Sequence, residues 1–272
     1  MLTTFGSQVF FAAENPQLGE ELWMTDGTTE GTVLVKDINP GPDRSTPFQL
    51  TPVGDTLYFG ASDGTHGSEP WTTDGTESGT QLLLDVNPGT ESSVDFPPSG
   101  PWINLGQTLL FPANDGQQGM ELWRSDGSPG GTAIVADLVP GTAGVLPEKM
   151  TVVDETFAYF FGWGGKQIWR TDGSEQGTAP LGRIEIGPYS GSNWRTLFVV
   201  GTTLFYESAD RDHGYELWMS DGTEEGTGLA ADINPGPDDS TPRSLGAIGT
   251  TLLFSAQDGE HGRELWAFPV TV

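Results

Sequence analysis

Residues 21–32 read Glu21-Leu22-Trp23-Met24-Thr25-Asp26-Gly27-Thr28-Thr29-Glu30-Gly31-Thr32, and residues 216–227 read Glu216-Leu217-Trp218-Met219-Ser220-Asp221-Gly222-Thr223-Glu224-Glu225-Gly226-Thr227. Working outward from that run, tryptophans fall at Trp23, Trp71, Trp123, Trp169, Trp218 and Trp266, at intervals of 48, 52, 46, 49 and 48. A period of this length marks an array of supersecondary units, each burying its apolar faces against its neighbours. The flanks are kept as Glu121-Leu122-Trp123 and Glu264-Leu265-Trp266, with the variants Glu69-Pro70-Trp71 and Gln167-Ile168-Trp169.

The second unit gives the wiring. Residues 48–54 read as a first strand, 57–61 as a second, 69–73 as a third centred on Trp71, and 81–86 as a fourth; Gly, Asp, Asn and Pro bound each run. Short connections make the four antiparallel. The longest link, Asn39-Pro40-Gly41-Pro42-Asp43-Arg44-Ser45-Thr46-Pro47, lies between units. A four-strand meander followed by a longer crossing is the wiring of a β-propeller blade. The fold predicted is therefore all-β: one six-bladed β-propeller over residues 1–272, with units at 1–45, 46–95, 96–145, 146–191, 192–240 and 241–272. A five-bladed ring and an open β-repeat array are the alternatives. Unit six runs on from its Trp as Ala267-Phe268-Pro269, without the Asp-Gly-Thr of the other units, and lacks most of a fourth strand. The repeated Trp read as packing between blades, because one large ring recurs at one position.

Composition agrees. In 272 residues there are 39 Gly and 20 Pro, which disfavour helix, together with 9 Trp and 14 Phe, which a disordered chain would not carry. Eleven basic against 38 acidic residues give a net charge of −27, which repels nucleic acid and anionic membrane surfaces alike. With no cysteine, disulfides, thiolate metal sites and cysteine nucleophiles are excluded. No run is long and apolar enough to span a membrane, and no N-terminal stretch has the form of a signal peptide.

The motif Glu-Leu-Trp-x-x-Asp-Gly-Thr followed by x-x-Gly-Thr resembles the ELWxxDGT-repeat proteins, and the resemblance covers essentially the whole chain. It implies a secreted or cell-surface bacterial protein, and a domain without a defined reaction. The Asp-Gly hairpin between third and fourth strands also resembles the Asp-box turns of sialidase-type propellers.

Weighed one by one, most repeated polar residues read as scaffold. Asp26, Asp74, Asp126, Asp172 and Asp221 each precede Gly and can bond their own turn. The Glu before Leu-Trp shares a strand face with the Trp and, if buried, needs backbone amides of a neighbouring turn. His66, His213 and His261 occupy one repeat position, so they are spread apart rather than clustered. The inter-unit loop carries carboxylates, amide and main-chain oxygens on a tight turn. Asp37, Asp43, Asp232 and Asp238 are thus the candidate ligands for calcium.

A ligand site is expected where the repeat is broken. Lys149, Arg195 and Arg243 place scarce cations at or beside one first-strand position, and Trp102 and Trp194 lie nearby as stacking candidates. First strands line a propeller's central channel. The expected function is a non-catalytic binding or adhesion module for a glycan or other extracellular ligand, supported by calcium and monomeric. A sialidase-like glycoside hydrolase and a purely structural repeat scaffold are the alternatives.

Overall fold

A computed structural model describes residues 2–95, 100–162, 167–181, 197–210 and 212–270. It divides into two compact units, Met1–Pro147 and Glu148–Val272.

Each unit holds three antiparallel sheets in chain order. In the first are β1 (Leu2–Phe5), β2 (Gln8–Asn15), β3 (Gly19–Thr25) and β4 (Val33–Lys36); β5 (Phe48–Val53), β6 (Thr56–Ser62), β7 (Ser68–Thr73) and β8 (Gln81–Leu82); then β9 (Ile103–Leu105), β10 (Thr108–Asn114), β11 (Met120–Ser125) and β12 (Ala133–Ile134). In the second are β13 (Glu148–Val153), β14 (Phe157–Gly162), β15 (Gln167–Thr171) and β16 (Ala179–Pro180); β17 (Phe198–Val200), β18 (Thr203–Ser208), β19 (Glu216–Ser220) and β20 (Gly228–Ala231); then β21 (Arg243–Ile248), β22 (Thr251–Gln257) and β23 (Arg263–Pro269). Each sheet is a meander, the blade of the β-propeller class. Among the described residues six sheets are present rather than five, and the sixth has three strands.

Register explains the recurring aromatics. Phe11, Phe59, Phe111, Phe160, Tyr206 and Phe254 on the second strands each pair with the repeat Trp on the third. Such directly opposed aromatic pairs stabilise a sheet by up to about 1 kcal/mol each. Trp71, Trp123 and Trp169 are buried and Trp23, Trp218 and Trp266 half-buried; Trp71 and Trp123 sit in core clusters that join two sheets.

Apolar faces of successive sheets meet within each unit. Phe10, Leu22 and Val35 of the first sheet pack with Leu50, Phe59 and Trp71 of the second. In the second unit, Phe205 and Leu217 pack with Leu252 and Phe254. Both faces of the inner sheets are covered, which is why their strands read as continuous apolar runs rather than alternating ones.

First strands neighbour one another: β1 beside β5 beside β9, and β13 beside β17 beside β21. Three of them carry a register shift, between Phe48 and Thr51, Glu148 and Thr151, and Arg243 and Gly246. A bulge there puts Gln49 (φ 56°) and Lys149 (φ 51°) into the left-handed region at equivalent positions.

The fourth strand of the second repeat is shorter than the run 81–86 suggested. It ends at Leu82; Leu83 N–H donates once more to Pro70 O, and the chain then turns inward so that Val86 N–H reaches the Glu69 carboxylate.

Candidate functional site

The buried glutamates form the most repeated polar feature. Glu21, Glu69, Glu121 and Glu216 are fully buried on their third strands. Glu21 accepts from the amides of Ile38, Asn39 and Ser45 and from the Ser45 hydroxyl at 2.6 Å. Glu216 repeats this with Ile233, Asn234 and Ser240. Glu69 takes Val86 and Ser93 N–H, with Ser93 Oγ at 2.5 Å. Glu121 takes three amides and no hydroxyl, because Val145 stands where the others have serine. Each carboxylate thus clamps the loop that leaves its own sheet, as expected of a buried carboxylate.

Burial penalises their ionised forms more than these donors reward them. It pushes Glu69 up to about 7, against the Ser93 hydroxyl and two amides and with the Asp85 carboxylate adding to the rise. Burial likewise pushes Glu121 up to about 7, with Asp137 adding. Glu21 and Glu216 are raised for the same reason.

The Asp-Gly turns are built as scaffold. Asp74 Oδ1 accepts from the Thr76 amide and hydroxyl, Thr76 Oγ1 accepts from Gly79 N–H, and Thr80 Oγ1 donates to Thr76 O while lying 2.7 Å from Thr73 Oγ1. The same bonds recur around Asp26, Asp126, Asp172 and Asp221. Glycine is needed at Gly79 because a Cβ there would fall 2.0 Å from Asp74 Oδ1.

Each histidine is tied to the aspartate three residues before it. Nδ1 of His66, His213 and His261 lies 2.7, 2.8 and 2.8 Å from Asp63, Asp210 and Asp258. These bonds raise the histidines. Burial of Asp63 opposes ionisation, but Thr65, His66 and their amides outweigh it and hold Asp63 at about 2. The three pairs sit in three separate strand-two-to-three turns.

The inter-unit loops hold the calcium candidates. Asp37 is half-buried, with Oδ2 accepting from Gly41 N–H at 3.3 Å and Oδ1 buried without a hydrogen-bond partner. Asp43, Asp232 and Asp238 are exposed. Atoms converging at the loop's centre are N–H and O–H donors aimed at Glu21 or Glu216, and the Asn39 and Asn234 amides donate to Arg44 O and Asp239 O. A cation needs converging oxygens. Among the described residues no group of three His, Asp or Glu is arranged to hold a metal.

Of the ligand candidates, Lys149 is exposed on the bulge of β13 and Arg243 half-buried at the start of β21. They lie on first strands at either end of the row β13, β17, β21. Arg195 and Trp194 lie outside the described residues. Trp102 departs from expectation. It is only 6% exposed and packs on Phe111 with ring centroids 5.1 Å apart, inside a core cluster with Tyr58 and Trp123. Strand register explains this. Trp102 precedes Ile103, which pairs with Leu110 as Thr51 pairs with Tyr58, so it holds the buried position of Leu50.

A recess of about 260 Å³ in the second unit escaped the sequence reading. Phe205, Met219, Phe268 and Val270 form its apolar lining, and Thr203 and Asp221 its polar one. Thr203, Phe205, Met219 and Asp221 are ordinary repeat positions, whereas Phe268, Pro269 and Val270 lie where the sixth repeat loses its Asp-Gly turn, a departure that the sequence reading noted without tying it to a recess.

No protein-family model and no curated protein matches the chain. Solved structures do. The chain is similar to a Mycobacterium tuberculosis puromycin-hydrolysing peptidase (TM-score 0.52, 14% identity), covering 100% of this chain and 42% of that one. It is similar to oligopeptidase B from Leishmania major (TM-score 0.55, 9% identity), covering 99% and 39%. A third similar structure is apo AztD from Citrobacter koseri (TM-score 0.50, 12% identity), covering 88% and 61%. The chain thus spans less than two thirds of each, and at such identities the likeness speaks to the all-β propeller fold alone.

Proposed function

We propose that the chain is a non-catalytic binding module of a secreted or cell-surface protein. Its ligand is an anionic or polyhydroxylated glycan met along the first-strand row that carries Lys149 and Arg243, with Arg195 between them in sequence. One observation carries this reading. The repeated carboxylates and hydroxyls bond the scaffold, whereas the cations break the repeat, and one of them, Lys149, stands exposed on the bulge of a first strand. A guanidinium suits a carboxylate through paired bonds, and an ammonium supplies a looser contact.

The sialidase-like reading needs a tyrosine nucleophile beside arginines and an acid. Tyr58, Tyr159 and Tyr206 are buried, and burial pushes the Tyr159 phenol up to about 12 and Tyr206 further up. A phenol so raised is a poor nucleophile at neutral pH, which favours binding over catalysis.

A glycan array probed with the parent and with a Lys149→Gln, Arg243→Gln variant, each with and without calcium, tests the proposal. Lys149→Gln installs the residue that the equivalent bulge already carries as Gln49, so the fold should tolerate it. Selective capture of acidic glycans that the variant loses supports the reading. An empty array, or equal capture by both proteins, rejects it.

A further inference from the structure

The third repeat keeps the glutamate clamp and drops the side chains that secure it in its siblings. Glu121 is 0% exposed, as Glu21, Glu69 and Glu216 are. Each of those three receives an amide at 2.8 or 2.9 Å and a serine hydroxyl at 2.5 or 2.6 Å. Glu121 takes amides alone, from Leu138 at 3.4 Å, Val139 at 3.3 Å and Val145 at 3.1 Å. Val145 stands where Ser45, Ser93 and Ser240 supply the hydroxyl. Val139 stands where Asn39, Asn87 and Asn234 brace their loops by donating to the carbonyls of Arg44, Ser92 and Asp239. One loop has thus lost both kinds of side-chain bond.

The charges around Glu121 also favour its neutral form. Asp137 begins the loop, Asp115 lies in the turn before β11, and Asp95 lies just past Ser93, whose carbonyl accepts from Asn114 of β10. Residues 138–147 and strand β10 carry no charge. Arg124 is exposed on the opposite face of β11, three residues along. A buried carboxyl with weak donors and acidic neighbours is held as the acid. Burial above all keeps Glu121 protonated up to about 7, with Asp137 adding to the rise. Once ionised, it needs water that only a displaced loop admits. Backbone bonds pin the loop at both ends, Val135 N–H to Leu122 O at 2.8 Å and Leu146 N–H to Met120 O at 3.0 Å, with Gly144 bridged to Met120. The residues between those pins can lift while the sheet stays formed, a local opening rather than unfolding.

We infer that residues 137–145 form a pH-released latch, closed over the protonated Glu121 carboxyl and opened when that carboxyl ionises. The closed form keeps its proton up to about 7, whereas an exposed glutamate keeps it only to 4.5. Closure is therefore fully favoured below about pH 4.5, weakens as pH rises, and loses this contribution through about pH 7. The inference rests on the scaffold and does not depend on the glycan reading.

Hydrogen exchange read by mass spectrometry on the whole chain, from pH 4.5 to 8.5, tests it, each rate being divided by the intrinsic rate at that pH. Amides 138–145 should lose about two orders of magnitude of protection between pH 4.5 and 7 and then level off, while β10 and β11 keep theirs. Val145→Ser returns the siblings' hydroxyl and should raise protection of these amides by about tenfold or more at pH 7. Glu121→Gln should make their protection the same at every pH. Protection that does not change with pH in the parent, an equal fall in Glu121→Gln, or no gain in Val145→Ser would overturn the inference. A fall shared by β10 and β11 would overturn it too, because the whole sheet would then be opening. If Glu121→Gln does not fold, the parent series and Val145→Ser decide.

Discussion

Replacing Glu69 by Gln isolates the electrostatics of one loop clamp. In the fold this carboxyl is fully buried and pushed from 4.5 to about 7. That difference corresponds to roughly 3 kcal/mol between the two protonation states. Because the folded value is raised, the stability it contributes is fully present below about pH 4.5 and is lost as pH rises through about 7. Gln cannot ionise and still offers one oxygen to the Val86 and Ser93 donors, so it should lose about 1 kcal/mol at acid pH for a bond forgone. At alkaline pH the parent carries a buried charge and Gln does not. Urea unfolding of both proteins from about pH 4.5 to pH 8 should therefore give lines that cross, the parent falling by roughly 3 kcal/mol relative to the variant. The remaining carboxylates are common to both and drop out of the difference. Parallel lines would refute the reasoning. A parent that gains on the variant as pH rises would show that three donors outweigh burial and hold Glu69 ionised.

Gly79→Ala places a methyl against the Asp74 carboxylate and should cost about 1–3 kcal/mol. Combining it with Asp74→Ala should cost less than the sum of the two, and strict additivity in denaturant titrations would contradict the close approach. Trp123→Ala empties a buried site between the second and third sheets and should destabilise by about 3–5 kcal/mol, read from the same titrations. If Asp37, Asp43, Asp232 and Asp238 take calcium, millimolar calcium should raise the Tm and magnesium should do less. An unchanged Tm with no calcium retained after dialysis removes that proposal.

Much of the fold was legible because it is written several times. One run of Glu-Leu-Trp with its Asp-Gly turn sets a third strand, a hairpin and a fourth strand, and a buried glutamate on such a strand requires amides from somewhere. The loop's polarity was not legible. Asp-Ile-Asn-Pro-Gly looks like a cation loop when its acidic side chains are counted, yet its backbone donors face inward to a carboxylate some seventeen residues earlier in the chain. Trp102 was misjudged for a different reason. It stands out as a residue type while obeying the repeat as a position, and only the pairing of Ile103 with Leu110 reveals that it replaces Leu50. The recess beside Phe268 depends on how two sheets splay, which no spacing along one chain encodes.

Ser45 belongs to two repeats at once. Its amide and hydroxyl close on Glu21 behind it, while its carbonyl accepts from Ser62 N–H in the sheet ahead; Ser93 does the same between Glu69 and Asn114. The natural unit of lengthening or shortening is therefore not a sheet cut at its turns but the stretch from one such serine to the next. Excising residues 46–93 would join Ser45 to Val94, so the junction serine would face Glu21 backward and Asn114 forward, with both bonds of the clamp kept. A lineage that recombined at these serines could change repeat number in single steps without ever passing through a broken clamp.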